Sequence, residues 1–352
     1  MLKNPLREQS VLMRTHTETE ILDAVIVGGG AAGLSAALVL GRARRSVAVI
    51  DSGKPRNAPA AHMHGFLSRD GMAPRELLAV GRSELQTYGV ELTQDDVVDI
   101  SWRGIEPGFV VELSGGTTLE TRTVLVATGL RDSLPEIPGI QELWGQSVLH
   151  CPYCHAYEIS DQPIGVLGGD AREMSLHQAF LLRQWSSDVT FFPDKISLTP
   201  DERARLAARG VTVADGSVSG LVCEKSKLKA VELDNGQLVA RSALFVAPRF
   251  VPNDAHLTRL GCKTSPTGFV AVDRSGATSV PGIWGAGNVV DPRAQVINAA
   301  AAGSTAAIAI NGYLVEQDVE SALRSTEPEG GFSATVEQRV CELNGGSALH
   351  GL

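Results

Sequence analysis

The chain has 352 residues, 43% apolar and 20% charged, with a formal net charge of −9. This is the profile of a soluble globular protein long enough for two domains, and the acidic balance argues against nucleic acid or an anionic membrane as partner. Five cysteines, an odd number, fit a reducing cytoplasmic setting better than a disulfide-stapled secreted fold.

Met1–Glu20 is polar and mixed in charge, lacks the apolar core of an export signal, and reads as a flexible leader. Leu22–Val27 is an apolar run leading into Gly28-Gly29-Gly30-Ala31-Ala32-Gly33, then a helical stretch, Leu34–Leu40. A second apolar strand, Ser46–Ile50, ends at Asp51. The pattern predicts a dinucleotide site. Gly28 permits the turn, Gly30 lets the backbone approach a pyrophosphate, and Gly33 lets the helix pack close to the strand. The helix N-terminus offers free N–H groups to the phosphates, and Asp51 is placed to accept from a ribose hydroxyl. A glycine-rich loop without a ligand would leave Asp51 unexplained. The cluster Arg42–Arg45 reads as solvated charge at a helix end.

Thr123–Val126 predicts a short strand ending in Ala127-Thr128-Gly129. Beyond it lies Cys151-Pro152-Tyr153-Cys154-His155. A dithiol of this spacing can close to a disulfide and reopen, and beside a dinucleotide it reads as a redox relay. Substrate thiolate would attack one sulfur, and the substrate's second thiol would release its own disulfide. His155 is suited to move the protons, with His150, Tyr153 and Glu158 as neighbours that shape the pocket. Covalent c-type haem and zinc are weaker rivals. The chain shows no export signal, and four ligands within His150–His155 crowd a tetrahedron, so no metal is expected. Cys223, Cys262 and Cys341 read as plain buried or tail thiols.

Ile164–Leu167, a helix at Ser175–Trp185 and a strand at Val189–Phe192 repeat the first unit's architecture. Its chemistry is altered: Gly168, Asp170 and Glu173 stand where the first unit has three glycines. Either Asp170 confronts a pyrophosphate, or the turn is reshaped by a deletion. Both weigh against NADPH and favour a scaffold role. Far downstream, Gly285-Ala286-Gly287-Asn288 precedes the Ala-rich stretch Ala294–Val315, read as a buried helix and not a membrane span. Segments that can reach both ends of a long ligand indicate FAD, with the helix from about Gln295 aimed at the flavin. Glu327–Gly331 is linker-like, and Val336–Leu343 predicts a short helix in a structural tail.

From about Leu22 to Tyr313, these motifs in this order resemble the low-molecular-weight thioredoxin reductase group. Three features depart from it: His155 replaces an Asp, the second glycine turn and Phe192–Lys195 lack the NADPH signature, and Asn288 replaces an Asp. These departures are similar to the branch of thioredoxin reductase-like dithiol oxidases that close the disulfides of gliotoxin and holomycin. The resemblance implies an α/β fold of two Rossmann-like nucleotide-binding domains, the second inserted in a split FAD domain. The FAD domain would span 20–130 and 247–322, the inserted NAD(P)-type domain 131–246, and a tail 323–352. It further implies that Cys154 meets the flavin and Cys151 the substrate. Arg56, Asn57, Gln295 and Val296 would join Gly28, Gly30, Gly33, Asp51, Ala127, Thr128, Gly129, Gly287 and Asn288 at FAD, with His62 and His64 nearby. The expected activity is oxidation of a small-molecule dithiol, with dioxygen as acceptor and hydrogen peroxide as product, in a homodimer. An NAD(P)H-dependent thioredoxin or disulfide reductase and a non-catalytic flavoprotein redox sensor are the alternatives.

Overall fold

The structure, a computed structural model, describes residues 21–104 and 108–326. The leader Met1–Glu20, the expected helix at Val336–Leu343 and Cys341 lie outside the described residues. The chain up to Ile310 forms one compact unit, and Asn311 onward a second, described as far as the end of a helix at Thr326.

The first sheet is built around Leu22–Val27, which pairs in parallel with Val47–Ile50 on one side and Thr118–Val126 on the other. Both faces of these strands are covered, so they read as continuous apolar runs, with Val25, Ile26 and Val49 fully buried. Glu91–Thr93 extends one edge in parallel, and Phe109–Leu113 and Val97–Trp102 extend the other as an antiparallel meander. Much later, Ile283–Gly285 returns to pair with Thr118–Val126. Between these visits the chain builds a second, wholly parallel sheet in the order Val211–Val213, Val189–Phe192, Ile164–Leu167, Ala243–Val246, Val148–Leu149. An antiparallel three-stranded sheet, Val218–Ala240, packs its Val218, Leu228, Val231 and Leu233 with that sheet's Leu167, Phe192 and Leu244. The mixed first sheet and the parallel second sheet are joined by a pair of crossing strands, Leu130–Ser133 and Arg249–Pro252, hydrogen-bonded antiparallel to each other. The fold is thus α/β with two Rossmann-like sheets, the second inserted in the first.

Helix boundaries differ from the sequence expectations in an instructive way. The first helix spans Ala31–Arg42, three residues earlier than its apolar periodicity suggests, because Gly30 serves as its cap and two alanines start it. Its counterpart in the second sheet spans Arg172–Leu182, not Ser175–Trp185. The Ala-rich segment lies in one long helix, Val296–Thr326, buried on one face only: Ala306, Ala307 and Ile310 are inaccessible, while Ile308 is 65% exposed. Gly303 of that helix lies so close to the first helix that a Cβ there would fall on the Ala32 carbonyl oxygen. Of the two lone cysteines described, Cys262 is buried, but Cys223 is exposed on an antiparallel strand, contrary to expectation. Among the described residues, no helix is long and apolar enough to cross a membrane.

Candidate functional site

A cavity of about 500 Å³ runs from the first glycine turn to the dithiol. At Gly28 the strand ends with φ 107°, a conformation that favours glycine, and its N–H donates to the Ile50 carbonyl at 2.7 Å. A Cβ at Gly28 would strike the Ala127 carbonyl, and one at Gly33 would strike Gly28 itself. Gly33 therefore shapes the turn from behind and does not line the cavity. Gly30 differs: no protein atom lies within 4 Å of where its Cβ would be. The helix that follows has no side-chain cap and no acid in its first turn, so its N-terminal amides are left for a ligand. Free amides, a positive helix end and an open glycine form a cradle that fits the pyrophosphate of a dinucleotide.

Asp51 closes the second strand and lines the cavity, with one carboxylate oxygen held by Arg82 at 2.7 Å. Arg82 sits on the helix Pro74–Gln86 and belongs to no recognisable motif. Ala127, Thr128 and Gly129 also line the cavity. Thr128 and Asn253 exchange hydrogen bonds there: the Thr128 hydroxyl donates to the Asn253 carbonyl at 2.7 Å, and the Asn253 amide donates to the Thr128 carbonyl at 3.0 Å.

Arg56, Asn57, Gly287, Asn288, Gln295 and Val296 also line the cavity, with Gly287 close against Ala32 of the first helix. The Arg56 guanidinium forms a bidentate pair with Asp132, at 2.9 and 2.7 Å, and donates to the Asn288 side chain at 3.2 Å. It also stacks over Phe250, 5.1 Å from the ring centroid. Asp132 and Phe250 stand on the two crossing strands, so Arg56 pins the crossing to the first sheet. The Asn288 amide is likewise committed, donating to the carbonyls of Asp291 and Ala294 and folding the turn into the long helix. Both residues line the cavity, but these polar contacts go to protein. Asp132, Phe250 and Arg82 leave no signal in the sequence, because each acts through a partner distant along the chain.

Cys151 and Cys154 form a disulfide, with their Cα atoms 5.3 Å apart. Pro152 starts a single helical turn, Pro152–His155, with Cys151 as its cap, and both sulfur residues line the cavity. The Gln295 side-chain amide approaches Cys154 Sγ at 4.0 Å, so Cys154 lies beside the start of the long helix. His155 also lines the cavity. Its pKa is pushed down by burial, partly opposed by the Glu158 carboxylate and reinforced by His64. His150 is shifted the same way, mainly by burial and then by Arg56. Both imidazoles are therefore neutral at neutral pH. In the unfolded chain each would protonate near 6.5, whereas in the folded chain protonation waits for a lower pH. Their contribution to stability is full above 6.5 and is lost as pH falls through the depressed folded values. Urea unfolding at a series of pH values should show the midpoint falling below pH 6.5, and His155→Asn should remove part of that slope.

The second glycine turn is reshaped, though not by deletion. Gly168 keeps the hydrogen bond of Gly28, its N–H donating to Phe192 at 2.7 Å, yet it does not adopt positive φ. The helix cap falls at Ala171, three residues on, where the first unit caps at Gly30, two residues on. Asp170 is exposed in this longer turn. Arg172, opening the helix, reaches across to the segment after Val189–Phe192: it donates to Glu202 at 3.0 Å and to the Ser197 carbonyl at 3.0 Å. Glu202 also completes a capping box with Thr199, and Arg172 holds its carboxyl down at about 2. Asp194, near the place of Asp51, accepts from the Val218 N–H at 2.9 Å. The groups that would greet a second dinucleotide are thus already bound within the protein. Among the described residues, no cluster of three or more His, Cys, Asp or Glu could hold a metal ion.

Residues 22–304 match the model of the family described as pyridine nucleotide-disulphide oxidoreductase. Thioredoxin reductase sirT of Leptosphaeria maculans is 31% identical, over 85% of this chain and 96% of its own length. Thioredoxin reductase tcpT of Claviceps purpurea is 32% identical, over 82% of this chain and 92% of its own. The crystal structure of HlmI superposes with a TM-score of 0.85 at 54% identity, covering 88% of this chain and 98% of that one.

Proposed function

The chain belongs to the pyridine nucleotide-disulphide oxidoreductase family, and from that premise we propose that it is an FAD-dependent dithiol oxidase. Its substrate in this reading is a small-molecule dithiol that leaves as an intramolecular disulfide, with dioxygen as final acceptor and hydrogen peroxide as product. The observation that carries the proposal is the placement of Cys151–Cys154 on the wall of the cavity that begins at the Gly28–Gly33 turn.

The cradle at Gly28, Gly30 and the helix N-terminus would hold the pyrophosphate, Asp51 the ribose, and the Gln295–Val296 end the ring system. FAD held there would supply the two-electron chemistry that connects a neighbouring dithiol to dioxygen. The protein supplies the rest. His155, kept neutral by burial, takes the proton of a substrate thiol, and the thiolate attacks Cys151. Cys154 leaves as a thiolate beside the Gln295 amide and the positive end of the long helix. The second substrate thiolate then displaces Cys151, leaving the enzyme pair reduced and the substrate oxidised.

The names of the curated relatives favour a second reading, an NAD(P)H-dependent reductase. The bonded Arg172, Glu202 and Asp194 speak against it, since the ends of the second crevice are already satisfied. One experiment separates the two. Purified yellow protein given NADPH under argon should keep its colour, and given a small dithiol under air it should form peroxide without any nucleotide. Rapid bleaching by NADPH would reverse the assignment.

A further inference from the structure

The disulfide turn has two sides. Cys151, Cys154 and His155 line the cavity, while Tyr153, between the cysteines, meets Trp185 edge-on with ring centroids 5.9 Å apart. Ala156, just past the turn, is inaccessible and packs in one cluster with Leu176 and Ala179 of the helix Arg172–Leu182. The dithiol therefore rests on the helix that follows the reshaped glycine turn. Gln178 of that helix is 3% exposed, and its side-chain amide donates to the His150 carbonyl at 2.7 Å. Among the described residues, its Oε1 has no hydrogen-bond partner. A buried amide with one end unmatched is a poor way to stabilise a fold, and a methionine would fill similar space without that penalty. What Gln178 does supply is a fixed peptide plane. The His150 carbonyl belongs to the planar unit that contains the Cys151 nitrogen and Cα, so holding the oxygen holds the base of the Cys151 side chain. The His150 ring is held too, with Nδ1 3.4 Å from the Val246 carbonyl oxygen and the ring edge-on to Phe250 at 5.1 Å. Cys154, by contrast, is approached by Gln295 from the start of the long helix.

We propose that Gln178 is a positioning residue for Cys151: through the His150 carbonyl it aims the sulfur that substrate attacks. It stands behind the cavity wall and does not line the cavity itself. This deepens the oxidase reading and rests on it. In the step concerned, the substrate S–H proton goes to a ring nitrogen of His155, and the thiolate forms a bond to Cys151 Sγ. The Cys151–Cys154 bond breaks, and its electron pair stays on Cys154 Sγ. The incoming sulfur must approach along the line of the bond that breaks, so a small tilt of Cys151 takes the pair out of reacting geometry. The helix Arg172–Leu182, which in this reading no longer receives a dinucleotide, thereby keeps a task in the reaction.

Holoenzyme is mixed with 1,4-butanedithiol under argon, quenched with an alkylating agent at intervals, and Cys151 and Cys154 are scored as free or bonded by mass. Gln178→Met removes the unmatched oxygen together with the donor. Its melting temperature and FAD content should therefore stay close to those of the unsubstituted protein, while disulfide opening slows about ten- to a hundredfold. Gln178→Leu, a different apolar shape, should slow it in the same direction. Under air, the loss should fall on kcat for the dithiol and leave KM unchanged. A second readout follows the aim of the sulfur. With 2-mercaptoethanol, the unsubstituted protein should carry the mixed disulfide on Cys151, and Gln178→Met should carry it on both cysteines. Opening rates within twofold of the unsubstituted protein in both variants overturn the proposal. So does a loss that follows lowered stability while the mixed disulfide stays on Cys151 alone. An unsubstituted protein whose disulfide resists the dithiol altogether would instead fail the oxidase reading, and this inference with it.

Discussion

Cys154→Ser and Cys151→Ser should each lower dithiol oxidation by at least about a thousandfold, because in the oxidase reading the disulfide is the immediate oxidant and neither remaining thiol can accept electrons alone. That loss corresponds to about 4 kcal/mol in the barrier. Both variants should fold and stay yellow, since neither sulfur contributes to the cradle at Gly28–Gly33. The remaining thiols should then differ. Cys154, with the Gln295 amide 4.0 Å from its sulfur and the long helix beginning at Val296, sits where a thiolate is favoured. In Cys151→Ser, Cys154 should react with iodoacetamide at lower pH than Cys151 does in Cys154→Ser. Equal alkylation profiles would remove the basis for giving the two sulfurs different partners, and turnover by either variant would remove the disulfide from the reaction.

Gly30→Asp should give a folded, colourless protein. Gly30 has φ −79°, and its Cβ would meet nothing, so the backbone has no reason to resist the change. The new carboxylate would stand where the cradle expects a pyrophosphate. Two such charges about 4 Å apart at an effective dielectric near 20 repel by roughly 4 kcal/mol, about a thousandfold in affinity. FAD titration of the apoprotein measures this directly, and a melting curve of the same sample reports the fold. Unchanged FAD affinity would mean that the anion site lies elsewhere. Gly33→Ala is the instructive contrast: its methyl group collides with the Gly28 carbonyl, so that variant should lose stability before any question of binding arises.

The first strand, glycine turn and Asp51 were readable from sequence because their geometry is local. Gly28 must turn, Gly33 must nestle, and an apolar strand must be covered on both faces. The same logic found the second unit but left its turn open between Asp170 in the middle position and a deletion; the turn is instead one residue longer before its helix cap. Composition cannot register where a helix cap falls when no Ser, Thr, Asp or Asn marks it, as at Ala171. Arg56 was expected beside FAD and does line the cavity, but its commitment to Asp132 and Phe250 was not legible, for those partners lie 76 and 194 positions away in sequence. Arg82 behind Asp51 and Gly303 against Ala32 were invisible for the same reason. Each is a long-range match between surfaces, and neither helical nor strand periodicity records such pairs. The Cys151–Cys154 pairing was legible because thiol chemistry tolerates few alternatives at that spacing.

The bond between Arg172 and Glu202 has a further consequence. On the oxidase reading, a variant that took a pyridine nucleotide in the second unit would need a shorter turn, a small residue in place of Asp170, and release of both ends of that bond. Shortening the turn alone distorts the loop, and removing one end of the Arg172–Glu202 bond alone leaves the other without its partner. On that reading, single substitutions in the second unit therefore gain nothing toward a pyridine nucleotide until several of them are combined.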